Sequence, residues 1–201
     1  MTTLLDIKNL SVDFRTPLGR VHALRDINFK INKGKIVGIV GESGSGKSTI
    51  IWALTQLLAK NGIVESGTAK FEGINLIKAD KSTIMGVRGE RISMVFQDPM
   101  TSQSPVLTYE QQMKDILYRK SNLSKGQKKQ KAIDMMARVG IPDPESRIKQ
   151  YPHQFSGGMR QRVVIALAIS CEPDLIIADE PTTALDVSIQ FKILNLLKKL
   201  T

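Results

Sequence analysis

The chain has 201 residues, of which 41% are hydrophobic, enough to build the core of one domain. Its formal net charge of +10 favours anionic partners such as nucleotides, nucleic acid or lipid headgroups, and charge alone does not choose among them. A single cysteine excludes an internal disulfide framework, and no signal peptide or apolar run near the roughly 20 residues of a membrane span is present, which predicts a cytoplasmic protein.

The first third of the chain predicts antiparallel strands followed by a strand, a glycine-rich turn and a helix. Residues 4–14 and 27–31 alternate apolar and polar side chains, and residues 16–19 between them have turn chemistry. Residues 36–40 form a continuous apolar run of strand length, and residues 48–60 change to a helical pattern.

The rest of the chain alternates strands with helices, which indicates a parallel sheet covered on its faces. The predicted elements lie at residues 67–77, 92–96, 109–119, 128–139, 159–170, 175–178 and 187–200. The polar, helical stretch 99–154 is interpreted as an inserted helical lobe. Its lysine-rich part, residues 119–131, is either a solvated face or an anionic contact surface.

A phosphate-binding loop is predicted between the apolar strand and the first helix, because residues 41–48 match G-x-x-x-x-G-K-[ST]. Glycines let consecutive amide N–H groups turn inward around phosphates, in conformations that a Cβ would obstruct. Lys47 can reach the β- and γ-phosphates, and Ser48 can offer its hydroxyl to Mg²⁺. A glycine-rich turn without a ligand is the alternative, which the flanking elements disfavour. The predicted nucleotide-binding residues are Gly41, Glu42, Ser43, Gly44, Ser45, Gly46, Lys47, Ser48 and Thr49.

Two carboxylates follow the apolar strand at residues 175–178, at the end where ligands of open α/β sheets bind. We expect Asp179 to hold Mg²⁺ and Glu180 to orient and deprotonate the attacking water, because phosphoryl transfer needs mainly positioning and charge neutralisation. An acidic pair after a strand is by itself more often an ordinary turn or helix start. Its combination with the phosphate-binding loop favours catalysis.

A third element, residues 155–161, reads Phe-Ser-Gly-Gly-Met-Arg-Gln and begins the helix that leads to the acidic strand. Ser156 is suited to cap that helix, and the two glycines would let the backbone approach an anion. The segment resembles the signature motif of ABC-transporter ATPases. This resemblance implies contacts to ATP held by the opposite subunit, made by Ser156, Gly157, Gly158 and Gln161.

The resemblance extends over the whole chain and is strongest to the ATPases of dipeptide, oligopeptide and nickel importers. It rests on residues 88–89, 95–102, 151–162 and 178–187. It implies that Gln97 is the Q-loop glutamine that senses Mg²⁺ and couples to membrane subunits, and that Asp186 lies at a dimer interface. Phe14 is the best candidate for the aromatic side chain that stacks on adenine, with an inward-facing strand residue as the alternative.

The fold implied is an α/β P-loop NTPase with a RecA-like parallel-sheet core, an N-terminal antiparallel β subdomain and an inserted α-helical subdomain. Residues 1–97 and 159–201 would form the β subdomain and core, and residues 98–158 the helical subdomain. The implied function is that of the ATP-hydrolysing subunit of an importer for peptides or nickel, using ATP and Mg²⁺ at the cytoplasmic face of the cell membrane. The implied partners are a second ATPase subunit, membrane permease subunits and, indirectly, an extracytoplasmic solute-binding protein, with no nucleic acid.

Two departures from the family pattern affect this interpretation. No histidine follows Glu180, where the family has a switch histidine, so we expect a C-terminally truncated ATPase with little turnover by itself. A non-hydrolysing ATP-binding module is the alternative, and a DNA-associated ATPase of the same superfamily is a third that only the net charge supports. Gln103 and Ser104 also replace an expected Leu-Asn pair, next to the surface that faces the membrane subunits.

Overall fold

A computed structural model describes residues 2–98, 101–119, 122–182 and 185–200. The chain divides into two compact units, one running to Arg88 and the other covering Gly89–Leu200. The expected grouping of residues 1–97 with 159–201 stays a prediction. Four residues of the stretches that carry the family resemblance, Pro99, Met100, Thr183 and Ala184, lie outside the described residues.

The first unit contains the predicted antiparallel sheet. Its strands are β1 (Thr3–Thr16), β2 (Gly19–Asn32), β3 (Gly62–Phe71) and β4 (Ile74–Asn75), in the order β2-β1-β3-β4. β1 pairs with β2 through a tight turn and with β3 on its other side, and all pairings are antiparallel. Leu5, Ile7, Leu10 and Val12 of β1 are buried, so this central strand supplies much of the unit's core.

The predicted strand at residues 36–40 is not formed, and this prediction is corrected. These residues have no regular secondary structure and are exposed, Val40 to 97%. A continuous apolar run becomes a buried parallel strand only where neighbouring strands supply its hydrogen bonds, and neither sheet of the described residues includes it. The first helix, α1 (Lys47–Leu54), follows the glycine-rich loop as expected but ends before residue 60, and α2 (Lys81–Val87) comes after β4.

The second unit contains a parallel strand pair and the helical lobe. The strands β5 (Ile92–Val95) and β6 (Leu175–Ala178) pair in parallel, as the sequence predicts. The helices are α3 (Tyr109–Ile116), α4 (Lys125–Arg138), α5 (Pro144–Arg147), α6 (Gly157–Ile169) and α7 (Val187–Lys199). α3 and α4 each begin with a capping box, in which a Thr or Ser and a Gln satisfy the first backbone N–H groups reciprocally.

Helix α6 forms the centre of this unit. Val163, Ile165 and Ala166 are fully buried and belong to one core with residues of α3 and α4. The lysine-rich part of α4 contacts carboxylates of its own unit, since Lys131 lies 2.7 Å from Glu172. Within the described ranges, no helix has the length and apolar character needed to cross a bilayer.

Candidate nucleotide-binding site

The glycine-rich loop leads directly into α1, and its lysine is held at the start of the loop. The Nζ atom of Lys47 donates hydrogen bonds to the carbonyl oxygens of Gly41 and Glu42, both at 2.8 Å. Gly46 is the N-cap residue of α1, with the left-handed φ of 91° that glycine tolerates. The exposed loop, its ammonium group and the N-terminus of α1 together form a surface suited to an anion.

The end of this loop is packed tightly against β2. A Cβ atom added to Gly46 would lie 2.7 Å from the carbonyl oxygen of Ala23 and 2.8 Å from the Cδ2 atom of Leu24. Ser48 and Thr49 follow in the first turn of α1, and the side chain of Thr49 faces the interior because the residue is only 8% exposed. A phosphate contact from Thr49 would therefore use its backbone N–H group.

The second group of predicted site residues lies where β5 and β6 end. The backbone N–H group of Asp179 donates to the carbonyl oxygen of Val95 at 2.9 Å, which extends the pairing of the two strands. Beyond that point the Nε2 atom of Gln97 donates to the Oε2 atom of Glu180 at 2.9 Å. Residues 83 positions apart in sequence are thus brought into direct contact.

The backbone of Glu180 is strained. Its φ of 44° lies in the left-handed region, which non-glycine residues adopt at a cost of about 1–2 kcal/mol. Strain of this kind concentrates at functional sites, where a side chain must be presented in a particular direction. Six other non-glycine residues of the described ranges also have a positive φ, so the role of Glu180 rests on its contact with Gln97 and not on this strain alone.

The donor atoms at this edge suit a hard cation. Gln97, Asp179 and Glu180 offer carboxylate and amide oxygens, the ligand type that Mg²⁺ prefers. Across the described ranges, no group of three or more His, Cys, Asp or Glu side chains could hold a metal ion alone. Mg²⁺ usually takes one or two carboxylates together with substrate phosphates and water.

The signature segment begins α6, and its residues have different environments. Ser156 is the N-cap residue, whose Oγ atom accepts from the N–H group of Met159 at 3.4 Å. Ser156 and Gly157 are exposed, so an external anion could approach them. Gly158 is buried, and an added Cβ atom would lie 2.9 Å from the Cγ2 atom of Ile189 on α7. The glycine at 158 therefore allows close helix packing rather than only anion approach.

The prediction that Gln161 contacts ATP in the opposite subunit is corrected. Gln161 is 1% exposed, so its side chain lies in the interior and cannot reach a ligand at the surface. Its buried Nε2 atom has no hydrogen-bond partner among the described residues. Gln161 lies in the core because α6 is buried on most of its sides, including the side that carries Gly158 one turn earlier.

Two further predicted residues have local structural roles. Phe14 is half-buried, and its ring lies against Gly62, where an added Cβ atom would be 2.9 Å from the Cε1 atom. Asp186 caps α7 by accepting from the N–H group of Ile189 at 3.0 Å and from the hydroxyl of Ser188 at 2.8 Å. These hydrogen bonds, that from Ile189 first, lower the pKa of Asp186. Adenine stacking and dimer contact stay predictions for these residues.

In the sequence, Gln103 stands out only as a departure from a family pattern. In the structure it is buried and donates to a backbone carbonyl of α6, while accepting from Tyr109. A glutamine at a position where an apolar residue is expected is the signal that could have indicated an internal polar contact.

The chain is similar to several proteins of known name. It is 47% identical to the oligopeptide transport ATP-binding protein OppD of Bacillus subtilis and 51% identical to OppD of Haemophilus influenzae, with 100% of the chain aligned in both cases. It is 48% identical to the dipeptide transport ATP-binding protein DppD of Bacillus subtilis, again over 100% of the chain. The chain spans 56%, 62% and 60% of the lengths of these relatives, respectively.

Solved structures are also similar. The ATP-binding cassette MJ0796, described as a dimer bound to ADP and Pi, matches with a TM-score of 0.84 at 30% identity, covering 98% of this chain and 82% of that chain. CbiO1 of Clostridium perfringens, described as part of the ABC transporter complex cbiONQ, matches with a TM-score of 0.82 at 28% identity, over 100% of this chain and 74% of that one. The family model described as "ABC transporter" matches residues 24–183. Because that match covers most of the chain, the chain belongs to the ABC transporter family.

Proposed function

We propose that this chain binds and hydrolyses ATP to drive an ABC importer for peptides. The observation that carries the catalytic part is the hydrogen bond between Gln97 and Glu180 at the ends of two parallel strands. The peptide substrate is inferred from relatives named for oligopeptide and dipeptide transport. These names favour peptides over nickel.

ATP binding would begin at the glycine-rich loop. Lys47 is bonded to two carbonyl oxygens of its own loop, so its ammonium group is already directed at the turn. Phosphate oxygens would replace those carbonyls as partners of Lys47, because a negatively charged acceptor attracts the ammonium group more strongly than a neutral carbonyl does. The N–H groups at the start of α1 would bind the same phosphates.

Mg²⁺ would be held by Ser48, Gln97 and Asp179, and when bound it neutralises charge on the β- and γ-phosphates. Asp179 contributes a carboxylate whose backbone is fixed by its hydrogen bond to β5. Gln97 contributes an amide from the end of β5, the strand next to the one that delivers Asp179.

Glu180 would orient the attacking water and accept its proton. The amide of Gln97 donates to one carboxylate oxygen of Glu180, which restricts the rotation of the carboxylate. Positioned general bases contribute about 10²–10⁴-fold to a reaction rate. The geometry at the ends of β5 and β6 therefore supports water activation by this side chain.

A second ATPase subunit would complete the site. Ser156 and Gly157 are exposed at the N-terminus of α6, and we infer that they contact the γ-phosphate of ATP bound by the other subunit. The similarity to a cassette described as dimeric with ADP and Pi supports this arrangement. Membrane permease subunits would bind the pair of ATPases at the cytoplasmic face of the membrane.

The test is the change Glu180→Gln in the full-length protein assembled with its partner subunits. We expect phosphate release to fall by about 10²-fold or more, while the affinity for a fluorescent ATP analogue stays within about threefold, because binding depends mainly on the phosphate-binding loop. Glu172→Gln is the matched control, since Glu172 is an exposed glutamate in an ion pair with Lys131 outside the site. Collapse of ATP affinity, or unchanged turnover, would show that Glu180 does not have this role. A wild-type assembly that binds ATP without turnover would instead support the non-hydrolysing alternative.

A further inference from the structure

Gln103 follows the Q-loop glutamine by a few residues and is 5% exposed. Both ends of its side-chain amide are bonded inside the protein. Its Nε2 atom donates to the backbone carbonyl oxygen of Arg160 at 3.0 Å, and its Oε1 atom accepts from the hydroxyl of Tyr109 at 3.1 Å. A leucine at this position would make neither contact and would leave a buried hydroxyl without this acceptor.

Both partners of Gln103 touch the signature segment. The fully buried ring of Tyr109 packs edge to face on the ring of Phe155, with 4.6 Å between centroids and 77° between planes. The Nε atom of Arg160 donates to the carbonyl oxygen of Phe155 at 3.0 Å. Gln103 therefore bonds directly to Arg160 after Ser156 and Gly157, and its other partner, Tyr109, packs on Phe155 before them.

Hydrogen bonds such as those of Gln103 couple the movement of two segments more tightly than apolar contacts do. An apolar side chain can slide over its neighbours at little cost, whereas a hydrogen bond weakens steeply with misalignment. Movement of Gln103 would thus act on the start of α6 through these hydrogen bonds. The same bonds limit the orientations available to Ser156.

We propose that Gln103 is a positioning residue that links the stretch before α3 to the start of α6, and so orients Ser156 and Gly157 toward ATP in the second subunit. The orientation toward ATP rests on the proposed function, whereas the link itself rests on the described hydrogen bonds. Gln103 touches neither nucleotide nor water in this proposal and acts only through Arg160 and Tyr109.

The test compares Gln103→Met with Gln112→Met in the full-length protein. Gln112 is also a buried glutamine of the lobe, 7% exposed, but its bonds go to Ser104 and Leu107 rather than to α6. The first readout is amide hydrogen exchange at Met159 and Arg160, whose N–H groups are bonded to Ser156. We expect exchange there to accelerate by about fivefold or more in Gln103→Met and to stay near wild type in Gln112→Met.

The second readout is steady-state ATP hydrolysis by the assembled transporter. We expect Gln103→Met to lower kcat by about tenfold with little change in KM, because misplacement of the signature segment affects the closed dimer more than binding at the glycine-rich loop. Unchanged exchange at Met159 and Arg160 would overturn the proposal whatever the ATPase result. An equal loss of kcat in Gln112→Met would also overturn it, because loosening the stretch around Ser104 and Leu107 would then be enough to lower turnover without any change in the bonds of Gln103 to α6. If exchange accelerates in Gln103→Met but the wild-type assembly itself does not hydrolyse ATP, the link between Gln103 and α6 is upheld and only the proposed function is rejected.

Discussion

The packing of Gly46 against β2 makes Gly46→Ala the most direct test of how the phosphate-binding loop is built. Alanine at a φ of 91° costs about 1–2 kcal/mol, because its Cβ atom crowds the following carbonyl group. The new Cβ atom would also lie 2.7 Å from the backbone oxygen of Ala23, and relieving such overpacking costs about 1–3 kcal/mol. Gly44→Ala is the matched control, with a φ of 81° and no described neighbour within 4 Å of the new atom.

Thermal unfolding without added nucleotide measures the difference between these two variants. At about 2–4 °C per kcal/mol for a chain of this size, Gly44→Ala should lower Tm by about 2–8 °C, and Gly46→Ala by about 2–12 °C more. ATP titration should show a larger loss of affinity for Gly46→Ala, since the N–H groups that start α1 shift with it. Equal Tm values would refute the reasoning, because the contact with β2 would then contribute nothing.

Two further outcomes test the second unit. Gly158→Ala should destabilise the protein by about 1–3 kcal/mol in urea unfolding, because the new methyl group would lie 2.9 Å from Ile189. The double variant Gly158→Ala with Ile189→Ala should lose less stability than the sum of the two single variants. Gly157→Ala is the control, since its methyl group would have Leu185 at 4.0 Å as its nearest described neighbour. Burial raises the pKa of Tyr109 above its ordinary value of 10.0, so the folded state holds this proton more tightly than the unfolded state, and the resulting stability is present below pH 10 and is lost as the pH rises further. In denaturant unfolding from pH 8 to 11, Tyr109→Phe should therefore lose less stability than wild type, and identical slopes would contradict this assignment.

Local signals in the sequence were sufficient for much of the site. The glycine-rich loop, the cap at Ser156 and the order of β5 and β6 depend on neighbouring residues or on short apolar runs, and all three were predicted. The direct contact between Gln97 and Glu180 was not predicted, although both residues follow strands of one parallel pair, whose carboxyl ends meet at one edge of the sheet.

The features that were missed depend on contacts distant in sequence. The apolar run at residues 36–40 has strand composition, but a strand also needs a partner, and composition does not reveal whether one is present. The motif identified Gln161, but α6 is buried on most sides and so gives no polar face from which its direction could be read. Gly158 faces Ile189 rather than solvent because of how α6 and α7 pack, which spacing alone does not encode.

The hydrogen bonds of Lys47 and Glu180 place different demands on the proposed ATP binding and on the proposed hydrolysis. Lys47 is bonded to two loop carbonyls, and Glu180 accepts from Gln97, so both groups have partners within their own unit. Phosphate can displace the carbonyls from Lys47 because a charged acceptor is stronger than a neutral one. Water activation by Glu180 would instead require the attacking water to reach a carboxylate that already accepts a hydrogen bond from Gln97. Under the proposed function, ATP binding therefore requires an exchange of partners at Lys47, whereas hydrolysis depends on the position of Gln97 beside Glu180.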